Sequence, residues 1–182
     1  MKSTLILGGA RSGKSTYAQE LALKAGGAVL FVATAEAGDE DMEKRIEMHR
    51  KSRPPGWLTL EATTHIGSRI IKNIGKAQTV IIDCVTLLIN NIFTRYDDKT
   101  DADLAEKEVM AEIKEITDCI DRVDADFIIV SNEVGLGIVP ADRVSRLYRD
   151  LLGRANQMLA AHADEVYLLV AGIPVVVKKA AR

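Results

Sequence analysis

The feature that most constrains this chain is a glycine-rich motif close to its start. Its residues are Gly8, Gly9, Ala10, Arg11, Ser12, Gly13, Lys14 and Ser15, and they match the pattern G-x-x-x-x-G-K-[ST]. In this pattern the glycines let backbone amides surround phosphate groups, and the helix that follows directs its positive N-terminus at them. The apolar run Thr4–Leu7 leads into the motif. The sequence therefore predicts a strand, a phosphate-binding loop (P-loop) and a helix, with ATP or GTP as the ligand.

Two side chains of the motif have predicted chemical roles. Lys14 is expected to be exposed, to reach the β- and γ-phosphates and to act in catalysis, while the Ser15 hydroxyl is expected to bind Mg²⁺. A glycine-rich turn between a strand and a helix, with no ligand, is the alternative interpretation. The chain has no Asn/Thr-Lys-x-Asp motif of the kind that reads guanine in switch GTPases. Any base selectivity must therefore arise in another way.

The rest of the chain alternates short β-branched runs with longer helical patterns. This alternation is typical of a parallel sheet flanked by helices. The predicted fold class is α/β, of the P-loop NTPase type, with a mostly parallel sheet and a single domain over residues 1–182. Apolar residues at helical spacing predict one helix around Val109–Val123. The acidic residues within and before it are interpreted as its solvated side: Glu106, Glu108, Glu112 and Glu115.

A P-loop protein needs a second carboxylate near Mg²⁺, commonly at the end of a buried strand. Asp83 directly follows the apolar run Val80–Ile82 and is the best candidate. Glu133, at the end of another apolar strand, is a weaker competitor. The alternative role for Asp83 is to cap the N-terminus of a helix predicted over Val85–Phe93.

The chain has three histidines, and His49 differs from His65 and His162 in its basic surroundings. Arg45 precedes it by about one helical turn, and Arg50–Arg53 follows it. Neighbouring cations attract phosphate, lower the pKa of an imidazole and keep the ring neutral and nucleophilic. An ordinary basic helix end, favourable to the helix dipole, explains the same residues equally well.

Charge, cysteine content and hydropathy give no support for nucleic acid, a cysteine-bound metal or a membrane as a partner. The net charge of −2 gives no reason to expect nucleic acid or an anionic membrane as a ligand. The two cysteines, Cys84 and Cys119, lack metal-ligand spacing and are interpreted as buried, reduced thiols. No apolar run approaches the ~20 residues that a membrane span requires. We therefore expect a cytoplasmic protein.

Taken together, these motifs resemble the bifunctional adenosylcobinamide kinase / adenosylcobinamide-phosphate guanylyltransferase family of cobalamin assembly. The resemblance covers nearly the whole chain. Its landmarks beyond the first motif are Ala33-Thr34, His49 through Arg53-Pro54 to Trp57, Glu61, Asp83-Cys84, the stretch from Asn132 to Pro140, and Gly153 to Gln157.

The resemblance implies two reactions. The first phosphorylates the hydroxyl of the aminopropanol arm of adenosylcobinamide with ATP or GTP. The second transfers GMP from GTP to that phosphate, releases pyrophosphate and gives adenosylcobinamide-GDP. The guanylyl group travels on a histidine, which by motif position is His49. The resemblance also implies a homotrimer.

The resemblance further implies a set of nucleotide contacts. Besides the first motif, they are Ala33, Thr34, Ala35, Arg50, Lys51, Ser52, Arg53, Glu61 and Asp83, with Ser15 and Asp83 as the Mg²⁺ ligands. Ala35 replaces a serine found in relatives, which removes one hydroxyl contact. Two other functions remain open from the residues alone: a P-loop kinase of another small-molecule hydroxyl, and a non-catalytic nucleotide-binding subunit.

Overall fold

The computed structural model describes residues 1–36, 40–51, 53–96 and 102–179. Their elements, in chain order, are β1 (Ser3–Gly8), α1 (Lys14–Ala25), β2 (Val29–Ala33), α2 (Glu40–Lys51), β3 (Leu58–Glu61), α3 (Ile66–Asn73), β4 (Thr79–Asp83), α4 (Val85–Phe93), α5 (Ala102–Arg122), β5 (Asp126–Val130), α6 (Arg143–His162), β6 (Glu165–Val170) and β7 (Ile173–Lys178).

The described strands form one sheet in the order β3-β2-β4-β5-β1-β6-β7. Neighbours from β3 to β6 are parallel, and β7 pairs antiparallel with β6 at the edge. The strand β2 is a continuous apolar run and β4 contains the apolar run Val80–Ile82, because both faces of these strands are covered. The predicted α/β fold with a mostly parallel sheet is confirmed.

Helices cover both faces of this sheet. One buried cluster contains apolar side chains of α3, α4, α5 and α6, and a second contains Ala18 and Ala22 of α1. The two clusters share no residue because alternate positions of each strand point to opposite faces. In parallel sheets of this kind, ligands bind outside the carboxyl ends of the strands. A ligand site is therefore expected at the carboxyl ends of β1, β2, β4 and β5.

The carboxylate of Glu112 in α5 is buried and accepts hydrogen bonds from the N-terminus of α3. Glu112 is only 5% exposed and accepts hydrogen bonds from the backbone N–H groups of His65 (2.8 Å) and Ile66 (2.7 Å). Glu115 accepts one from the N–H of Ser68 at 2.6 Å. The prediction that Glu112 belongs to a solvated face is wrong, because the first amides of α3 need acceptors and this helix has no acidic residue of its own there.

Both cysteines are free and buried, as predicted. Burial raises the pKa of each thiol to about 11, so both stay protonated at neutral pH. Among the described residues, no helix has the length and apolar character that crossing a membrane demands.

Candidate nucleotide and acceptor site

The Gly8–Ser15 loop joins β1 to α1 at the carboxyl edge of the sheet. A Cβ atom at Gly8 would lie 2.7 Å from the backbone oxygen of Leu169. Gly13 has a φ of +94°, and a Cβ atom there would lie 3.2 Å from the Cα of Gly172. Glycine is needed at both positions because the nearby atoms belong to backbone and cannot rotate away.

Segments after the two neighbouring strands hold this loop in place. The N–H of Glu133, after β5, donates to the carbonyl of Gly8 at 3.0 Å, and the N–H of Gly172, between β6 and β7, donates to the carbonyl of Ser12 at 2.9 Å. The loop is thus fixed from both sides of β1. A fixed loop can present its amides to an anion without first losing conformational entropy.

The Lys14 side chain is buried within the loop that precedes it. It is 7% exposed, and its Nζ donates to the carbonyl of Gly9 at 2.6 Å. Burial lowers the pKa of this ammonium group, and the nearby charge of Asp83 partly opposes the change. The prediction that Lys14 is exposed is wrong, because its ammonium group turns back onto the loop that precedes it. A poorly hydrated cation attracts an anion more strongly than a solvated one.

A pocket of about 590 Å³ opens over this loop. The predicted site residues that line it are Ala10, Arg11, Gly13, Lys14, Ser15, Ala33, Ala35, Arg53 and Asp83. Its other lining residues were not predicted: Thr16, Phe31, Cys84, Leu87, Val130 and Asn132. The volume lies within the usual range for small-ligand sites, about 300–1,000 Å³.

Strand register aligns the inner wall of the pocket. Asp83 pairs with Ala33 of β2 on one side and with Val130 of β5 on the other, so three strand ends stand in a row. Cys84, and not Asp83, occupies the N-cap of α4, and its side chain makes no capping hydrogen bond. The capping alternative for Asp83 is therefore wrong, and its carboxylate lines the pocket with Lys14 and Ser15.

Arg53 brings a second partly buried cation to the pocket. Its guanidinium lies 4.1 Å from the ring centroid of Phe31, and its Nη1 donates to Thr59 Oγ1 at 3.3 Å. Burial lowers the pKa of Arg53, with the charge of Asp83 opposing. Stacking on an aromatic face stabilises a cation where water is scarce. Arg53 and Lys14 thus place two partly dehydrated positive charges in one pocket.

Several predicted contacts lie away from the pocket lining. Thr34 is buried, and its hydroxyl accepts from the N–H of Cys84 and donates to the carbonyl of Cys84, each at 2.7 Å. Arg50 forms an exposed ion pair with Glu61 at 2.5 Å, and Lys51 forms one with Glu47 of its own helix at 2.7 Å. Their nucleotide-binding roles stay predictions.

The backbone of His49 lies in the last turns of α2, but its side chain and the whole of Ser52 lie outside the described residues. The other two histidines sit at helix ends. His65 precedes α3, with its Nδ1 3.5 Å from Glu115, and His162 lies in the last turn of α6, 3.1 Å from Asp121. Ordinary structural contacts thus account for both.

Asn132 is held in the pocket wall by hydrogen bonds of its backbone. Its N–H donates to Thr86 Oγ1 at 2.8 Å, and its carbonyl accepts from the buried Asn156 at 3.0 Å. Ser131 Oγ donates to Asn156 Oδ1 at 2.6 Å. The signal that could have identified Asn132 is the change from an apolar strand to a polar Ser-Asn-Glu segment at the carboxyl edge.

Trp57 packs behind the pocket and not in it. Its ring stacks on Phe31 with centroids 6.5 Å apart and an angle of 26°, and it packs against the buried cluster on the α1 face. We expect Trp57→Ala to lower the free energy of unfolding by about 2 kcal/mol, less than a fully buried aromatic would cost. Urea denaturation measures this loss, and the affinity of the pocket for its ligands should be unchanged. A large loss of that affinity would instead make Trp57 a ligand contact.

Fold, loop and pocket together define a class: an α/β protein of the P-loop NTPase type, with its lysine and an acidic strand end in one cavity. Comparison with known proteins identifies the family. The family model for cobinamide kinase / cobinamide phosphate guanyltransferase matches residues 4–177. The chain belongs to this family of enzymes, which are kinases and nucleotidyltransferases of cobalamin biosynthesis.

Curated relatives are similar in sequence to this chain over nearly their full length. The bifunctional adenosylcobalamin biosynthesis protein CobU of Escherichia coli is 41% identical over 179 residues, which cover 96% of this chain and 98% of that protein. CobU of Salmonella typhimurium is 37% identical over 179 residues, with the same coverage. CobP of Pseudomonas aeruginosa is 40% identical over 174 residues, 96% of each chain.

Proposed function

We propose that this protein phosphorylates adenosylcobinamide with ATP or GTP and then transfers GMP from GTP to the resulting phosphate. The observation that carries this proposal is the pocket in which Lys14, Ser15, Arg53 and Asp83 meet over a fixed glycine loop. Such a pocket suits a nucleoside triphosphate, and the family's name supplies the acceptor. By analogy with the family we also propose a homotrimer.

In the phosphorylation step the loop binds and orients the triphosphate. The phosphates replace the Gly9 carbonyl as the partner of the Lys14 ammonium, and the amides at the start of α1 face the same charge. The acceptor hydroxyl oxygen forms a bond to the γ-phosphorus, the bond to the β–γ bridging oxygen breaks, and the hydroxyl proton is released. Lys14 stabilises the charge that builds up on the phosphoryl oxygens.

Ser15 and Asp83 would hold Mg²⁺, which when bound neutralises phosphate charge. These two residues fit Mg²⁺ because they place a hydroxyl and a carboxylate in one pocket, and Mg²⁺ prefers oxygen ligands of this kind. The negative charge of Asp83 also interacts with the positive charges of Lys14 and Arg53. It therefore offsets part of the positive charge of the pocket before a nucleotide binds.

In the transfer step His49 would carry the guanylyl group. An imidazole nitrogen forms a bond to the α-phosphorus of GTP, pyrophosphate leaves, and the ring loses a proton. The cobinamide phosphate oxygen then attacks the same phosphorus, the P–N bond breaks, and the imidazole recovers a proton. A covalent intermediate divides one difficult displacement into two easier ones.

The test of the proposed function is nucleotide consumption with and without corrinoid. Purified protein with Mg²⁺ should turn over ATP or GTP repeatedly only when adenosylcobinamide is present, and mass spectrometry should find adenosylcobinamide-GDP. A kinase of another hydroxyl would leave adenosylcobinamide unchanged. A non-catalytic nucleotide-binding subunit would consume neither nucleotide.

Asp83→Asn is expected to slow both reactions by about a hundredfold or more, because one carboxylate serves one shared triphosphate site. Raising the Mg²⁺ concentration should recover part of the loss. Rates of phosphorylation and guanylyl transfer, measured across a Mg²⁺ series, check this expectation.

Glu133→Gln is the matched control for Asp83→Asn. The Glu133 carboxylate accepts from the N–H of Gly135 at 2.5 Å within its own loop, so its neutralisation should change the rates only severalfold. If Glu133→Gln proves the more damaging, or if Mg²⁺ has no effect on Asp83→Asn, the assignment of the metal ligand to Asp83 fails.

A further inference from the structure

The segment between β5 and α6 exposes apolar side chains that its neighbours leave uncovered. We call residues 134–139 the apolar loop. In it Leu136 is 84% exposed, Ile138 97% and Val139 60%. Single exposed apolar residues are ordinary, whereas several in one short segment mark a surface that binds something.

This apolar loop is anchored at the mouth of the pocket. On its N-terminal side Asn132 lines the pocket, and the N–H of Glu133 donates to Gly8. On its C-terminal side the Arg146 guanidinium donates to the carbonyls of Pro140 (2.9 Å) and Ala141 (2.6 Å). Both ends are therefore held while the apolar side chains project between them.

A second apolar strip borders the opposite side of the Gly8–Ser15 loop. Val170 and Ile173 flank the turn between β6 and β7 and are 54% and 67% exposed. The N–H of Gly172 in this turn is bonded to Ser12. Because β5 and β6 are the two neighbours of β1, exposed apolar residues stand on both sides of the phosphate-binding loop.

The geometry of phosphoryl transfer explains why apolar surface belongs here. The acceptor hydroxyl must reach the γ-phosphate at the Gly8–Ser15 loop, but the nucleotide occupies the pocket of about 590 Å³. The bulk of a corrin must then lie outside the mouth, against the segments that border this loop. A corrin carries methyl groups around its rim, and apolar side chains are the surface that such a rim buries favourably.

We propose that the apolar loop, chiefly Leu136 and Ile138, binds the corrin rim of the acceptor, with Val170 and Ile173 on the far side. This inference rests on the proposed function and adds the part of the site that receives the macrocycle. It predicts that the loop sets affinity for the acceptor and leaves affinity for the nucleotide unchanged.

The test is the double variant Leu136→Ser/Ile138→Ser, compared with Leu23→Ser/Ile71→Ser as a matched control. The control residues are also exposed, at 57% and 44%, but they lie in the last turns of α1 and α3, next to the starts of β2 and β4 at the opposite edge of the sheet. Calorimetric titration with adenosylcobinamide should give a Kd raised at least about tenfold in the loop variant, in keeping with the loss of two apolar contacts. The Kd for GTP should stay within about twofold, and the control should match the wild type.

Each other result decides against the inference. An unchanged corrinoid Kd in the loop variant, with normal wild-type turnover, overturns the role of the loop and leaves the proposed function standing. A change of oligomeric state in analytical ultracentrifugation, with an unchanged corrinoid Kd per site, shows that the loop contacts a second copy of the chain instead. A wild type that neither binds nor turns over adenosylcobinamide overturns the proposed function and this inference with it.

Discussion

Lys14→Ala is expected to reduce cobinamide phosphorylation by roughly a hundredfold to a thousandfold, the usual effect of losing one preorganised donor to developing charge. Guanylyl transfer should fall as well, because both reactions use the same triphosphate site. The fold should survive. Burial lowers the pKa of Lys14, which means that folding disfavours its charged form, so removing that charge relieves a cost. Steady-state rates and a thermal melt measure both parts of this expectation.

Lys24→Ala is the control for Lys14→Ala. Lys24 lies in the last turn of the same helix, at the end remote from the Gly8–Ser15 loop, and is exposed. Its loss should change neither reaction. Near-normal phosphorylation by Lys14→Ala would remove the loop lysine from the mechanism. A melting temperature lowered by more than about 10 °C would mean that the lysine is needed for folding, against the argument from its pKa.

The second large effect concerns His49. Incubation of the wild type with GTP and Mg²⁺, without corrinoid, should label the protein with one guanylyl group and release an equal amount of pyrophosphate. His49→Ala should lose the label and guanylyl transfer entirely, yet keep much of the phosphorylation rate, because phosphoryl transfer depends on the Gly8–Ser15 loop and not on the imidazole. Intact-protein mass spectrometry and a coupled pyrophosphate assay measure these outcomes.

The stability of the label identifies its chemistry. A phosphoramidate has a nitrogen leaving group that departs readily once protonated, so the label should be lost in acid and survive in base. His65→Ala and His162→Ala are the matched controls, because both histidines make structural contacts at helix ends, and both variants should still be labelled. Labelling of His49→Ala, or no labelling of the wild type, would contradict the covalent mechanism and favour a kinase without nucleotidyl transfer.

Local pattern was enough to predict most of the fold. The helix predicted over Val85–Phe93 is α4 to the residue, and the apolar run Thr4–Leu7 lies within β1, because apolar runs and helical spacing are properties of neighbouring residues. The approach of Asp83 to the Gly8–Ser15 loop was predictable for a related reason. In a parallel sheet, the carboxyl ends of buried strands meet at one edge.

The errors share a different cause, since they depend on partners far away in the chain. Glu112 looks like any exposed helical carboxylate until α3 presents its amides to it. Lys14 looks exposed in sequence, but in the fold it shares a pocket with residues as distant as Arg53 and Asp83. Contacts of this kind cannot be predicted from any single stretch of sequence.

Sheet order also sets when, during folding, a nucleotide could first be bound. The strand β1 lies between β5 and β6, so Ser3 pairs with Phe127 and Thr4 with Glu165. On a ribosome the Gly8–Ser15 loop would emerge well before β5 and β6, the neighbouring strands whose following segments hold it. Contacts between such distant segments form slowly, because closing long loops costs entropy before any contact offsets it. In refolding experiments helical circular dichroism should therefore return before nucleotide affinity, which makes bound nucleotide a reporter of the finished sheet.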